Sequence, residues 1–285
     1  MEILQIEHCR RLVAILACHN RREVTLKCLA SLEDQRFGEA DVAVVLIDDG
    51  STDGTGEAVA RRFPNVDIVR TPGDYYWAKS MALAEHHAHR MGSEVLLWLN
   101  DDVTLAPDAV ARLWKAHLER PEAILVGATV DPESGRCSYG GKRRTGRHPM
   151  RFTPVPVRSS PVRVDTFNGN VVLVPWSARH VVGPIDGEFA HAYADTDYGL
   201  RARKLGVEII QVAGSVGECR ANVAPDTRAM KITQRWKWLT SPKGLPLGSQ
   251  ARFMKRHGGP EWPAYFIYGA VRGVLAGTDY GASHR

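Results

Sequence analysis

The feature that most restricts this chain is a series of short apolar runs, each closed by polar or acidic residues and followed by a helical pattern. Leu12–Ala17 ends in Cys18-His19-Asn20-Arg21, Val42–Ile47 in Asp48-Asp49-Gly50-Ser51, and Glu94–Leu99 in Asn100-Asp101-Asp102. Short runs without alternation suit strands buried on both faces, as in parallel sheets covered by helices. Between them, Arg22–Leu32, Asp53–Arg62, Ala78–Met91 and Pro107–Glu119 read as helices, and Val66–Arg70 as a further strand. This alternation predicts an α/β fold with a mostly parallel central sheet flanked by helices. Farther on, Asp195–Lys204 reads as a helix and Val164–Val174 and Val207–Val212 as strands. Gly140–Pro161, rich in Arg, Gly and Pro, reads as a loop excursion.

A chain of 285 residues holds one sizeable α/β domain plus an appendage. Charge marks the division. Residues 226–285 carry ten Lys and Arg against three acids, an excess of seven in a chain whose total is +5, which leaves −2 on residues 1–225. Trp236, Trp238 and Trp262 also fall in this tail. We therefore divide the sequence into a domain at 1–225 and a helical, basic and aromatic extension at 226–285. Basic residues interleaved with aromatics suit an anionic membrane surface, or a helical pair packed on the core with a solvated basic face. No nucleic-acid partner is expected, because no recognisable binding motif accompanies the charge.

The five cysteines are scattered without a Cys-x-x-Cys pair, so neither a zinc ribbon nor a disulfide framework is indicated. Met1–Arg11 lacks the apolar core of a signal peptide, and no apolar run is long enough to span a bilayer. The expected location is cytoplasmic, with peripheral attachment to the inner face of the plasma membrane as an extension of the charge argument.

In an open α/β sheet, ligands bind beyond the carboxyl ends of the strands, where the acid clusters fall. Asp48–Thr55 has the composition of a capped strand-to-helix turn, and its carboxylates could also accept hydrogen bonds from a base or ribose. Asn100-Asp101-Asp102 places adjacent carboxylates at a strand end. A hard divalent cation bridging them to phosphate would neutralise them, and a solvated capping turn is the plain alternative. Asp195, at a helix start, could be a cap or a general base. The run Glu85-His86-His87-Ala88-His89 points around a helix and reads as a solvated face.

Taken in order and spacing, Asp48-Asp49-Gly-Ser-x-Asp53, Asn100-Asp101-Asp102 and Asp195-x-Asp197-x-x-x-Arg201 resemble glycosyltransferase family 2, over roughly residues 12–213. The string Gly73–Met81, with Tyr75-Tyr76-Trp77, and the tail segments Ser241–Pro246, Arg256-His257 and Trp262-Pro263 are similar to its bacterial surface-polysaccharide, rhamnosyltransferase-like branch. The resemblance implies the GT-A fold and an inverting hexosyl transfer, from a nucleoside-diphosphate sugar to a hydroxyl of a glycan or lipid-linked glycan. It implies Mg²⁺ or Mn²⁺ as cofactor. Ala17, His19, Asn20, Asp48, Asp49 and Asp101 would then bind the nucleotide, Asp102 the metal, and Asp195 would be the catalytic base. Trp77, Asn168, Gly169, Asn170, Asp197 and Arg201 would contact acceptor or donor sugar, orient the base or meet the phosphates. Three departures stand out. Asn100 replaces an acid, Ala194 replaces the Glu that often precedes the base, and Glu218 or Cys219 stands near where a histidine metal ligand is often found.

Two other readings share the scaffold. A catalytically silent sugar-nucleotide or polysaccharide-binding protein is consistent with those departures. A sugar-phosphate nucleotidyltransferase wants a glycine-rich loop after the first strand, which Cys18–Arg22 lacks, and the same loop has no dinucleotide fingerprint. Donor, acceptor, a homo-oligomeric state and the surface on which the tail docks stay open at this point.

Overall fold

The computed structural model describes residues 12–35, 42–146, 148–190, 192–222, 225–241 and 246–277. Residues 1–11 and the tail segment 242–245, both of which entered the sequence reading, lie outside them.

The first half follows the expected alternation: β1 (Leu12–Cys18), α1 (Arg22–Glu33), β2 (Val42–Asp49), α2 (Thr55–Arg62), β3 (Val66–Thr71), α3 (Tyr76–Arg90) and β4 (Val95–Leu99). Then come β5 (Thr104–Leu105), α4 (Ala109–Glu119), β6 (Ile124–Val130), β7 (Cys137–Tyr139), β8 (Gly141–Arg144), β9 (Phe152–Pro154), β10 (Val162–Arg163), β11 (Thr166–Phe167) and β12 (Val171–Pro175). The chain finishes with α5 (Trp176–Val182), α6 (Ala194–Lys204), β13 (Ile209–Glu218), α7 (Ile232–Thr240), α8 (Leu247–His257) and α9 (Trp262–Leu275).

The main sheet runs β10-β13-β6-β12-β4-β1-β2-β3. Strands β3, β2, β1 and β4 are parallel, β12 is antiparallel to both β4 and β6, and β13 is parallel to β6. The sheet is buried on both faces, which is why its strands read as unbroken apolar runs. Leu12, Ala14, Leu16 and Cys18 of β1 enter one cluster with Cys28, Leu29 and Leu32 of α1. Val13 and Ile15 enter the other with Ala78, Met81 and Ala84 of α3. These clusters fix the sheet between its helices, so the loops at its carboxyl edge start from a rigid base.

Several expectations need correction. Strand β6 was not read from the sequence, although it lies at the middle of the sheet. The region 140–161 is not a plain loop: β8 pairs with β9 and β11 in a small second sheet. The strand expected at 164–174 is broken into β11 and β12, and residues 168–170 between them turn into the cleft. Glu85 is buried rather than solvated, pairing with Arg179 Nε at 3.1 Å and accepting a hydrogen bond from the Ile185 amide at 3.0 Å. The basic helix α8 seats its fully buried Phe253 in the same apolar cluster as α3 and α6.

Candidate active site

The carboxyl ends of β1, β2 and β4 gather the polar loops. Asn20 adopts φ 52°, in the left-handed region that asparagine tolerates. There its Oδ1 accepts from the Thr52 amide at 2.7 Å, and its own amide donates to Ser51 Oγ at 3.0 Å. His19 Nδ1 sits 2.5 Å from the Asp49 carbonyl oxygen. His19 and Asn20 are exposed, with half-buried Ala17 behind them. The loops after β1 and β2 are thus tied into one rim.

The two acids that end β2 are occupied within the protein. Asp48 is buried and accepts from the Ser51 amide at 3.0 Å. Asp49 is buried and accepts from Thr71 Oγ1 at 2.7 Å and from the amides of Gly73, Tyr75 and Tyr76 at 2.8–3.3 Å. Its charge lies at the N-terminus of α3, where the helix dipole favours it. Gly50 makes this possible: a Cβ there would lie 2.7 Å from the Gly73 Cα.

After β4 the arrangement is different. Asn100 Oδ1 accepts the indole N–H of Trp77 at 2.8 Å, and the Asn100 amide donates to the Asn170 carbonyl at 2.9 Å. Asp101 is buried, with Oδ1 2.8 Å from Arg21 Nη1 and Oδ2 accepting from Thr25 Oγ1 at 3.2 Å. Asp102 Oδ2 lies 2.7 Å from Arg21 Nη2. One guanidinium therefore forks across both carboxylates. Burial, opposed by Arg21 and helped by the neighbouring Asp102, pushes the Asp101 carboxyl up to about 6. The Arg21 side chain is 43% exposed while the acids it holds are 4% and 16% exposed, so water reaches the cation from outside.

On the far side, Asp195 stands in the first turn of α6. Its Oδ1 accepts from the Thr196 amide at 2.6 Å and from Thr196 Oγ1 at 3.2 Å, and its Oδ2 accepts from the Gly169 amide at 3.0 Å. Lys142 Nζ donates to Thr196 Oγ1 at 3.1 Å, and burial lowers this lysine's pKa while Asp195 works against the shift. An ammonium only donates, so the Thr196 hydroxyl turns its own proton to Asp195. Gly169 is a close-approach position: a Cβ would lie 2.7 Å from the Trp77 ring and 3.3 Å from the Asp195 Cβ. Trp77, Asn100, Gly169 and Asn170 thus form a hydrogen-bonded and packed floor between the two acid sites. Asn168, half-buried, hangs from the Gly140 carbonyl at 2.9 Å.

Asp197 and Arg201 go elsewhere. Asp197 is fully buried, its Oδ2 held by Arg201 Nε and its Oδ1 by Arg256 Nη1 and His257 Nε2, each at 2.8 Å. Arg201 also donates to the carbonyls of Val182 and Pro184. The structure uses this pair to anchor α8. Sequence reasoning passed over Arg21, Lys142 and the anchoring role of Arg256 and His257. Arg21 alone carried a local signal, a basic residue at the exit of the first strand.

Among the described residues, no group of three or more His, Cys, Asp and Glu is arranged to hold a metal ion. Cys219 Sγ does approach Asp102 Oδ1 at 3.4 Å, but burial and then the Asp102 charge push its pKa well above the usual thiol range, which keeps it a neutral thiol. Glu218 is exposed at the end of β13. A hard cation at this position would have Asp102 as its carboxylate ligand and would take its remaining oxygens from a bound diphosphate or water, the usual manner for Mg²⁺ at phosphate sites.

Residues 13–170 match the family model Glycosyl transferase family 2. An N-acetylglucosaminyl-diphospho-decaprenol L-rhamnosyltransferase of Mycobacterium tuberculosis is 26% identical over 59% of this chain, which spans 63% of that relative's length. Among solved structures, GalNAc-T7 with UDP, GalNAc and Mn²⁺ superposes with a TM-score of 0.63 at 13% identity, over 95% of this chain and 53% of that one. A mannosyltransferase of Pyrobaculum calidifontis in complex with GDP-Man and Mn²⁺ superposes with a TM-score of 0.52 at 16% identity, over 96% of this chain and 77% of that one. These structural likenesses establish the GT-A fold.

Proposed function

Because the chain belongs to glycosyl transferase family 2, we propose that it moves a hexose from a nucleoside-diphosphate sugar to a hydroxyl of a lipid-linked glycan, with inversion at the anomeric carbon. The L-rhamnosyltransferase relative supports a rhamnose-like sugar and a polyprenyl-diphosphate acceptor. The observation that carries the reading is Asp195: among the described residues, Oδ1 accepts two hydrogen bonds and Oδ2 one, from Gly169, which leaves an Oδ2 lone pair for a substrate proton.

As the acceptor oxygen bonds to the anomeric carbon, the bond from that carbon to the diphosphate oxygen breaks with its electron pair. The hydroxyl proton passes to Asp195 Oδ2. No enzyme nucleophile is needed. A divalent cation at Asp102, when bound, would neutralise charge on the leaving diphosphate. The rim of Ala17, His19 and Asn20 would border the base, and Asp48 and Asp49 would act by shaping that rim. Trp77 and Asn168–Asn170 would line the floor beneath the sugars.

The acceptor reading extends to the tail. No helix among the described residues is long and apolar enough to cross a membrane. Yet Ile232 and Trp236 of α7 and Ile267, Tyr268, Val271 and Leu275 of α9 are each more than half exposed, on a segment with excess positive charge. Such a surface suits an anionic bilayer at the cytoplasmic face, and it would bring the cleft to a lipid-linked acceptor.

The test is calorimetry with a panel of nucleoside diphosphates, with and without Mn²⁺, followed by transfer assays with the Asp195→Asn variant. One nucleotide should bind more tightly with metal, and the variant should keep that binding while losing transfer. A fully active variant would remove Asp195 as the base. Absence of binding to every nucleotide would favour a silent carbohydrate-binding protein.

A further inference from the structure

The Arg21 fork has a geometry that the transfer reaction does not require. The two terminal guanidinium nitrogens, Nη1 and Nη2, pair with Asp101 and Asp102 at 2.8 and 2.7 Å, so the negative charge offered to a cation is already partly neutralised. A divalent ion arriving at Asp102 meets this guanidinium at the same carboxylate oxygen, Oδ2. The other oxygen, Oδ1, faces the Cys219 thiol. Two cations on one carboxylate repel strongly where water is partly excluded.

Arg21 is also placed to leave. It precedes α1 as a non-helical cap residue, it follows the positive-φ Asn20, and close to half of its side chain is exposed. A planar fork that pairs with two carboxylates pairs equally well with two phosphate oxygens.

We infer that Arg21 is a resident counter-cation that competes with the divalent metal for Asp102 and transfers to the donor diphosphate when the nucleotide binds. Metal and nucleotide binding are thereby coupled: the metal binds weakly to the free protein because Arg21 holds its site, and the diphosphate opens that site by drawing Arg21 away. This inference rests on the assignment of Asp102 as the metal residue. Arg21 is a positioning residue in this scheme, and its signature is a change in metal affinity before any substrate is present.

The test is Mn²⁺ titration followed by electron paramagnetic resonance, on wild type, Arg21→Lys and Arg21→Gln, without nucleotide and with UDP, GDP or dTDP. Without nucleotide, Arg21→Gln should bind Mn²⁺ about tenfold more tightly than wild type, a coupling of ordinary size. Arg21→Lys, whose single ammonium cannot fork, should be about threefold tighter; it keeps a cation beside Asp101 and Asp102 and so supplies the reading even where the glutamine variant fails to fold. Nucleotide-dependent Mn²⁺ binding in wild type, with neither variant tighter than wild type in the free state, would overturn the inference while leaving the metal assignment intact. If wild type binds no Mn²⁺ with any of the three nucleotides, the metal assignment falls and the Arg21 inference with it.

Discussion

Two groups of buried and half-buried acids in this molecule use the same residue types to opposite ends. Asp186 and Asp197 are saturated: Arg252 and Arg256 hold the first, while Arg201, Arg256 and His257 hold the second. Burial pushes both carboxyls up, but these hydrogen-bonding partners outweigh it and leave both below the usual carboxylate range. At the cleft, Asp101 and Asp102 share a single water-exposed arginine, and Asp101 is shifted upwards. An acid surrounded by enough donors becomes a fastener. An acid left with acceptor capacity can still meet a group of a bound ligand, and we propose Asp195, whose Oδ2 accepts from the Gly169 amide, as an acid of this second kind.

The largest way to break the comparison is at Asp195. Asp195→Asn should lower the transfer rate by about 10²–10⁴-fold, the range for a general base, with thermal stability and nucleotide binding close to wild type. Asp197→Asn should do the reverse. It weakens the hydrogen bonds from Arg201, Arg256 and His257 and should cost about 2 kcal/mol of stability in urea unfolding, with near-normal turnover for the fraction that remains folded. Similar rate losses in both variants at equal stability would erase the distinction between fastener and active acid.

Gly169→Ala probes the floor between Asp195 and the Asp101–Asp102 pair. Its Cβ meets the Trp77 ring and crowds Asp195, so a loss of about 1–3 kcal/mol is expected from overpacking, together with reduced turnover. A variant as stable and active as wild type would mean the floor yields freely.

The pH dependence of stability should have opposite slopes for the two groups. Asp186 and Asp197 have depressed folded-state values, so their contribution is present above the ordinary carboxylate value near 3.8 and is lost as pH falls through the folded value. Asp101, raised from 3.8 to about 6, binds its proton more tightly in the folded state; its effect is a loss of stability as pH rises between those values. In metal-free buffer, Asp101→Asn should remove that falling limb, and an unchanged profile would show that Arg21 already compensates for burial.

The smallest effect on folding belongs to the exposed stripe of α7 and α9. Trp236→Ser with Tyr268→Ser should change stability by no more than about 0.5 kcal/mol, while reducing sedimentation with anionic liposomes several-fold. Equal sedimentation of variant and wild type would remove the membrane role. Point changes suit this test better than truncation at residue 226, because Phe253 is part of the core.

The apolar runs at 12–17, 42–47 and 95–99 were legible because a strand buried on both faces must be apolar throughout, and the acids that close them had to fall at the sheet's carboxyl edge. The interruption between β11 and β12 was read through, although the Asn168-Gly169 pair that lies in it favours a turn. What only the structure adds is the close packing of Trp77 against Gly169. Nor did local sequence separate Asp195 from Asp197: both lie in the first turn of α6, two residues apart, and helix geometry sends one to the cleft and the other into the interior.

By itself the sequence determined the layered α/β plan, the family and the acids at the strand ends, because periodicity and short motifs are local properties of the chain. Only the tertiary structure decided which of those acids are spent. Which partners an acid or its neighbour meets depends on donors that arrive from far along the chain: Arg21 to Asp102 across 81 positions, Arg256 to Asp197 across 59, Lys142 to Thr196, beside Asp195, across 54. No local pattern records those meetings; the packing of the sheet against its helices brings them about.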